Sequence, residues 1–221
     1  MLKKIISVIL GLLTASLCYA QTDAKNPFEP KENLYVGLGL GGMFVHNNFT
    51  RERVYTSVSD GYTNHVDQLA GNFYLGYGYT WANNVFWGLE ANTYFPNIIS
   101  KFKTPRRITD SSDFMYYQYV FKDYLGLDLL LGQRFSQNSL LYGRLGLSFR
   151  DVILQGFINN EGTSMGGRFG FGTAHQLSEH IGVAMDYIYT YFPTWGSHLG
   201  HVQYNLKSYE NYVGISLIYS T

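Results

Sequence analysis

The chain has 221 residues, which is enough for one domain of ordinary size. Aromatic residues make up 17% of it and charged residues only 14%, compared with about 25% charged residues in a typical soluble domain. The formal net charge is zero, which excludes a protein that binds nucleic acid through a basic surface. The single cysteine, Cys18, lies in the N-terminal segment, so a disulfide framework is excluded as well.

Residues 1–20 have the three parts of a secretory signal peptide. Lys3 and Lys4 form the positive start, residues 5–17 form the apolar middle, and small residues precede a cleavage site at Gln21. The apolar run is shorter than the about 20 residues that a membrane-spanning helix needs. The sequence therefore predicts export, with cleavage after residue 20.

Two further boundaries follow in the chain. Residues 21–33, with two prolines and mixed charges, are predicted to form a short exposed lead-in. A lipid attached at Cys18 is the alternative for residues 1–20, but the bulky Leu17 before it disfavours that signal. The folded domain is predicted to span residues 34–221.

From residue 34 onward, segments of alternating apolar and small or polar residues recur. Because side chains of a strand alternate between its two faces, each segment predicts a strand with one apolar face. In the first, Val36, Leu38 and Leu40 lie opposite Gly37 and Gly39. The eight predicted strands are 35–44, 69–79, 85–95, 124–135, 141–149, 168–174, 181–191 and 208–221.

The connections between these strands alternate in length. Those after the second, fourth and sixth strands are short, whereas the other four are long and polar. Short turns at one end and long loops at the other are typical of outer-membrane barrels, in which the long loops lie outside the cell. The pattern predicts an all-β fold, an eight-stranded antiparallel up-and-down transmembrane β-barrel.

The last strand carries a further signal. Its apolar face reaches almost to the end of the sequence, and a strand in that position needs a partner, which in a barrel is the first strand. It resembles the closing strand of bacterial outer-membrane barrels, which the barrel insertion machinery reads. The matching positions are Tyr212, Gly214, Leu217 and Tyr219, although Ser220 and Thr221 follow the aromatic residue.

Over residues 34–221 the chain resembles the small eight-stranded barrels of the outer membrane, namely the OmpA transmembrane domain, OmpX and the opacity proteins. The resemblance implies location in the bacterial outer membrane, with its lipid and lipopolysaccharide as surroundings. A soluble lipocalin-like barrel is the alternative. Its exterior would need charges, and the second face of these strands is mostly Gly, Ala and Asn.

Six charged residues fall on the face predicted to line the lumen. Because an unpaired buried charge is costly, three acids and three bases inside a narrow barrel are expected to pair and to plug it. A gated ion path is the alternative. The predicted network consists of Glu90, Asp128, Asp186, Arg134, Arg144 and Arg168.

Other motifs predict no cofactor or metal site. Gly37, Gly39 and Gly42 match the spacing of a dinucleotide-binding loop, but no helix is predicted after them, so the match is interpreted as chance. His198 and His201 lack a third ligand at a recognisable spacing and are interpreted as solvated loop residues.

Two predicted loops carry basic residues, which either bind lipid phosphate or are merely solvated. The first loop holds Arg51, Glu52 and Arg53, and the second holds Lys101, Lys103, Arg106 and Arg107.

The resemblance implies a non-enzymatic surface protein whose long loops contact host surface proteins in adhesion, as such barrels often do. A structural or weakly conducting barrel without a dedicated partner is the first alternative. A lipid A-modifying enzyme that uses His201, Ser208 and Glu210 is the second, but their spacing does not match the known deacylase motif.

Overall fold

The computed structural model describes residues 31–53, 59–81, 83–95, 97–105, 114–155, 160–199 and 202–221. The predicted signal peptide, 1–20, lies outside these residues, as does most of the predicted lead-in. Among the described residues, no helix has the length and hydropathy needed to cross a membrane. They form nine strands: β1 Lys31–Arg53, β2 Ser59–Thr80, β3 Val85–Phe95, β4 Ile98–Pro105, β5 Phe114–Arg134, β6 Ser139–Gln155, β7 Asn160–Gln176, β8 Ile181–Leu199 and β9 Val202–Ser220.

The strands close into a barrel. Each pairs antiparallel with its neighbour in the chain, except that β3 and β4 follow one another along the same edge of β5. The ladder between β1 and β9 runs from Tyr35 opposite Ser220 to Arg53 opposite Val202 and closes the circle. The predicted eight-stranded antiparallel up-and-down barrel is therefore confirmed, with its third strand interrupted between β3 and β4.

One half of the barrel has the predicted faces. We call it the lower half: it runs from the short turns after β2, β5 and β7 to Phe44 of β1 and Asn211 of β9. Its outward side chains are apolar and exposed, such as Leu40 and Leu145. Its lumen holds buried aromatic residues such as Tyr142, with glycines beside them.

In the rest of the barrel, the upper half, the two faces exchange character. Val45 and Phe49 of β1 point into the barrel and are buried, whereas His46 and Asn48 between them point outward and are partly exposed. The same exchange occurs in the upper parts of β5, β6 and β9. An aqueous exterior explains it, because an apolar face exposed to water would lose the free energy gained by burial.

The predicted ends of the strands at this end of the barrel are therefore wrong. β1 continues beyond Phe44 to Arg53, and β2 begins at Ser59 rather than Leu69. Among the described residues, most of each predicted long loop is strand. Residues 54–58, 106–113, 156–159 and 200–201 at this end lie outside the described residues. The short turns are as predicted.

The upper half consists of two facing sheets. The ladder between β2 and β3 ends at Gly71 opposite Phe95, and the described part of β4 pairs only with β5. Likewise, the ladder between β7 and β8 ends at Gly167 opposite Tyr191. Beyond these points β2, β1, β9 and β8 form one sheet, and β4, β5, β6 and β7 form the other.

A core of aromatic and aliphatic side chains fills the space between these two sheets. At its centre is Phe49, which is 1% exposed. Its ring lies 5.5 Å from that of Phe102 and 5.7 Å from that of Tyr119, both in the opposite sheet. Within its own sheet it contacts Tyr62 and Tyr204, at 6.2 and 6.1 Å between ring centroids. The upper half is thus packed like a sandwich.

Polar side chains also join the two sheets near the gap between β2 and β4. Ser208 Oγ donates to Asn47 Oδ1 at 2.6 Å, and Asn47 Nδ2 donates to Ser100 Oγ at 3.2 Å. Across the same gap, Asn64 Nδ2 donates to Ser100 Oγ and to the carbonyl of Lys101. These bonds replace the missing backbone ladder between β2 and β4.

Two bulges mark the region where the barrel divides. β5 has one extra residue relative to β6 between Lys122 and Leu125, where Asp123 adopts a φ of 54°. A bulge of this kind bends the strand and shifts the alternation of its faces. As a result, Tyr124 points inward below the bulge and Phe121 points inward above it. β8 has a similar irregularity between Phe192 and Trp195.

We expect Phe49→Ala to destabilise the barrel by roughly 3–5 kcal/mol, since it leaves a cavity between the two sheets. The free energy of unfolding can be measured by denaturant titration of the protein in detergent micelles. Thr50→Ala, at the next and outward position, serves as the matched control and is expected to change it by less than about 0.5 kcal/mol. Equal losses for the two variants would contradict a packed core at Phe49.

Candidate functional site

The inward faces of five strands bring charged residues together in the middle of the lower half. Glu90 of β3 lies directly opposite Asp128 of β5. On β6 the residue opposite Asp128 is Gly146, and Arg144 is the neighbouring inward residue of that strand. Arg168 of β7 and Asp186 of β8 extend the group around the lumen. All five are buried, between 2% and 4% exposed.

Arg144 holds the three carboxylates together. Its Nη1 lies 2.5 Å from Glu90 Oε1 and 2.6 Å from Asp128 Oδ2, and its Nη2 lies 3.2 Å from Asp186 Oδ1. The carboxylates come from strands on both sides of β6, so this one guanidinium bridges the lumen. Tyr142 donates a further hydrogen bond to Asp186 at 2.8 Å.

Arg168 forms a second level of the same network. Its Nε lies 3.2 Å from Asp128 Oδ1, and its Nη atoms donate to Asn92 Oδ1 and Tyr94 Oη at 2.7 and 2.8 Å. Gly126 makes room for it, because a side chain there would collide with the guanidinium and with Asn92. Three carboxylates thus face two guanidiniums, and the neutral side chains of Tyr142, Asn92 and Tyr94 add hydrogen bonds to them.

Arg134, the sixth predicted member, is not in this network. It lies near the short turn that follows β5, where its Nε donates to Thr80 Oγ1 at 3.0 Å and its Nη1 to the carbonyl of Gln137 at 3.3 Å. The turn supplies acceptors within its reach. The structure therefore corrects the predicted network, which included Arg134.

A second buried ion pair, which the sequence analysis missed, lies above the network. Arg150 Nη1 pairs with Glu210 Oε1, which also accepts a hydrogen bond from Tyr124 at 3.0 Å. The Arg150 guanidinium lies between two rings, 4.0 Å from the centroid of Phe121 and 3.8 Å from that of Phe192. The sequence did contain a signal for Arg150: the alternation of β6 continues past the predicted strand end at 149, so that Arg150 points inward like Ser148.

This arrangement bears on the enzymatic alternative. Ser208 is fully buried and donates to Asn47, and Glu210 is 4% exposed and paired with Arg150. Both lie inside the barrel, whereas an enzyme acting on lipid A needs its catalytic groups on the lipid-facing exterior. His201 lies outside the described residues. Ser208 and Glu210 thus serve the interior packing.

One unfilled part of the lumen lies below the network. A cavity of about 100 Å³ extends from Glu90 towards the short turns, with Tyr35, Tyr74, Arg134 and His175 among its lining residues. Tyr35 donates to Glu90 at 3.3 Å at its inner end. Above Glu90 the network and then the aromatic core occupy the interior.

The remaining predicted residues lie at several places in the barrel. Tyr212 and Gly214 face the lumen, and Leu217 and Tyr219 are exposed on the outer face of β9. Gly37, Gly39 and Gly42 lie in the middle of β1, which continues as strand beyond them. Several residues that were assigned to loops lie in strands: Arg51, Glu52 and Arg53 in β1, Lys101 and Lys103 in β4, and His198 in β8; Arg106 and Arg107 lie outside the described residues.

In the part of the chain that the structure describes, no group of three or more His, Cys, Asp and Glu side chains is placed to hold a metal ion.

The chain matches the family model of the outer membrane protein beta-barrel domain over residues 10–217. That range covers almost the whole sequence, including every described strand up to the last residues of β9. No curated protein matches the chain.

Three solved structures illustrate what the fold is similar to. The attachment invasion locus protein Ail of Yersinia pestis, solved with the heparin analogue sucrose octasulfate, is 17% identical and has a TM-score of 0.36, with 82% of this chain and 98% of that one covered. Neisserial surface protein A has 13% identity, a TM-score of 0.39, and coverages of 83% and 95%. The outer membrane protease OmpT of Escherichia coli has 9% identity, a TM-score of 0.47, and coverages of 91% and 100%.

We expect Arg144→Met to destabilise the barrel by roughly 3–5 kcal/mol, because it leaves three buried carboxylates without their shared partner. The measurement is the free energy of unfolding in detergent micelles at neutral pH. Arg134→Met is the matched control: its guanidinium donates to a hydroxyl and a turn carbonyl, so the expected loss is about 1 kcal/mol. A smaller loss for Arg144→Met than for the control would contradict the central role of Arg144.

The network and the core above it are also expected to block the lumen. Purified protein reconstituted into planar bilayers should show no steady conductance above the baseline, whereas an open porin measured in parallel should. Because the interior of an eight-stranded barrel is just wide enough for side chains, filling it leaves no water path. Steady, large conductance would show that the lumen is a gated ion path instead.

Proposed function

The chain belongs to the outer membrane protein beta-barrel family, and on that premise we propose that it is a non-enzymatic surface protein that mediates adhesion to host surfaces. It lies in the bacterial outer membrane, surrounded by lipid and lipopolysaccharide. Because short turns face the periplasm in such barrels, the upper half projects outside the cell.

The observation that carries the proposal is the construction of the upper half. A barrel that served only to span the membrane would need strands no longer than its apolar outer surface. Here the strands continue as two sheets joined by their own core, with Phe49 and Tyr119 at its centre. Such a body holds its outer surface in a fixed conformation, which lowers the entropy lost when a partner binds.

The exterior of the first sheet, formed by β2, β1, β9 and β8, suits contact with another protein. Lys207 of β9 lies between two aromatic rings, 5.3 Å from that of Tyr191 and 5.5 Å from that of Tyr209. Hydrogen bonds with Tyr209 and Tyr191 raise the pKa of Lys207 above its usual value. Tyrosine is enriched at protein interfaces, where its ring and its hydroxyl both make contacts.

The exterior of the second sheet is polar and of mixed charge. Lys101 of β4 is exposed, and Lys122 of β5 forms an exposed ion pair with Glu161 of β7 at 3.5 Å. Such pairs contribute little to stability, so these residues are available to a partner. The two sheets therefore offer two chemically different surfaces for binding.

The closing strand supports the expected route into the membrane. Leu217 and Tyr219 are exposed on the outer face of β9, at the seam where β9 meets β1. We propose that these two residues, together with Tyr212 and Gly214, form the signal that the barrel insertion machinery reads.

The proposal is tested by displaying the protein on a laboratory bacterium that does not adhere to host cells. One variant changes the first sheet (Tyr191→Ser, Lys207→Glu and Tyr209→Ser), and another changes the second sheet (Lys101→Glu and Lys122→Glu). Cells that remain on host cells and on immobilised matrix proteins after washing are counted. The expected result is adhesion by the unchanged protein and a loss of about tenfold or more in one of the two variants, equivalent to about 1.4 kcal/mol.

Glu179→Lys, in the short turn after β7, is the matched control because it changes charge on the periplasmic side. Surface amounts of all variants are equalised with an antibody against an added epitope. If cells with the unchanged protein adhere no more than cells without it, the adhesion proposal is wrong. The structural or small porin-like barrel is then the better description.

A further inference from the structure

Two histidines form a pair on the outer face of the barrel, where the upper half begins. His46 of β1 and His65 of β2 are directly opposite each other in the ladder. Their Nδ1 atoms lie 3.1 Å apart, and the ring centroids are 4.3 Å apart with an interplanar angle of 65°. Phe44, the preceding outward residue of β1, belongs to the apolar exterior. The pair therefore lies at the outer edge of the membrane-facing surface, in reach of water.

The neighbours of His46 decide which of its ring nitrogens is free. His46 Nε2 lies 3.0 Å from Asn48 Oδ1, which also accepts a hydrogen bond from Thr63 Oγ1 at 3.2 Å. An amide oxygen accepts and cannot donate, so Nε2 carries the proton. The lone pair of Nδ1 is then directed at His65.

This arrangement is the one that metal-binding histidines use. Such a residue donates its second ring N–H to a carboxylate, a carbonyl or a water, which fixes the ring and its tautomer. Here Asn48 has that role, and Thr63 fixes Asn48 in turn. The first ligand is thus oriented before any ion binds.

The separation of the two nitrogens matches a metal chelate. A zinc–imidazole bond is about 2.0–2.1 Å long, so two such bonds at an angle between square and tetrahedral separate the nitrogens by about 2.9–3.4 Å. The observed 3.1 Å falls within this interval. His65 needs only to move its proton from Nδ1 to Nε2 or to lose it to solvent, and the side chain is exposed on the barrel surface.

We propose that His46 and His65 form a surface site for one divalent transition-metal ion, bound through both Nδ1 atoms. Imidazole ligands suit Zn²⁺, Cu²⁺ and Ni²⁺, and of these Cu²⁺ binds most tightly to a given site. Since the described residues offer no group of three ligands, water completes the coordination. The site does not depend on the proposed adhesion.

Copper is the probe that tests the site, because its electron paramagnetic resonance spectrum reports nitrogen ligands. The full mature protein, without a polyhistidine tag, is titrated with Cu²⁺ in detergent micelles and followed by calorimetry and by resonance. We expect one Cu²⁺ per chain with two nitrogen ligands. The double variant His46→Ala and His65→Ala should lose this binding.

Asn48→Ala tests the geometry rather than the ligands. It keeps both histidines and removes the acceptor that fixes His46, so binding should weaken by roughly ten- to a hundredfold. His180→Ala is the matched control, because His180 is an exposed histidine at the opposite end of the barrel, where its Nδ1 contacts the carbonyl of Ser220. It should leave the affinity unchanged.

Two results would overturn the proposal. One is stoichiometric Cu²⁺ binding that persists unchanged in the double variant, since the ion would then bind elsewhere. The other is the absence of a nitrogen-ligated Cu²⁺ signal from the unchanged protein. Circular dichroism of every variant confirms that the barrel is folded before binding is compared.

Discussion

The pleat of a regular strand alternates side chains between two faces, and most strands of this barrel pass through two different surroundings. The lipid of the membrane requires an apolar exterior, whereas water outside the cell requires a polar one. β1 meets both demands because its apolar residues lie on the outward face up to Phe44 and on the inward face from Val45 onward. The interior changes accordingly, from charged groups with glycines below to an aromatic core above. Most other features of the structure follow from this exchange.

The same exchange explains which strands could be predicted from the sequence. In the lower half the outward leucines of β5 and the outward Val213, Ile215 and Leu217 of β9 mark one face so regularly that the strands and their order followed from alternation alone. In the upper half the alternation continues, but the apolar positions of β1 change from even to odd numbers after Phe44. Without knowledge of where the membrane ends, such a change indicates the end of a strand. In β5 the bulge at Asp123 obscures the pattern further, because it shifts the register of the faces by one residue.

The charged network, like the strands, could be predicted only in part from the sequence. Glu90, Asp128 and Arg144 could be assigned to the lumen because their strands are regular, and the narrow interior left them no partner except each other. Arg150 was beyond the predicted end of its strand at 149, so its inward orientation was not evident. Glu210 lies inside the predicted last strand, 208–221, but was considered only as part of the enzymatic alternative. Arg134 was assigned correctly to the inner face, but its long side chain reaches the acceptors of the turn after β5. Alternation predicts the face of a residue, while the partner depends on its height in the barrel and the length of its side chain.

The residues that stabilise the barrel are different from those on its outer surface. Closure of the lower half rests on the ladder between β1 and β9 and on a network that tolerates few changes, because each buried charge depends on the others. The upper half has its own core, so its outward residues contribute little to folding and are free to differ in charge and size. His46, His65 and Lys207 are among them: each lies on a strand held in place by buried neighbours, and none is part of either interior. A barrel built in this way can change what it binds while its fold stays the same.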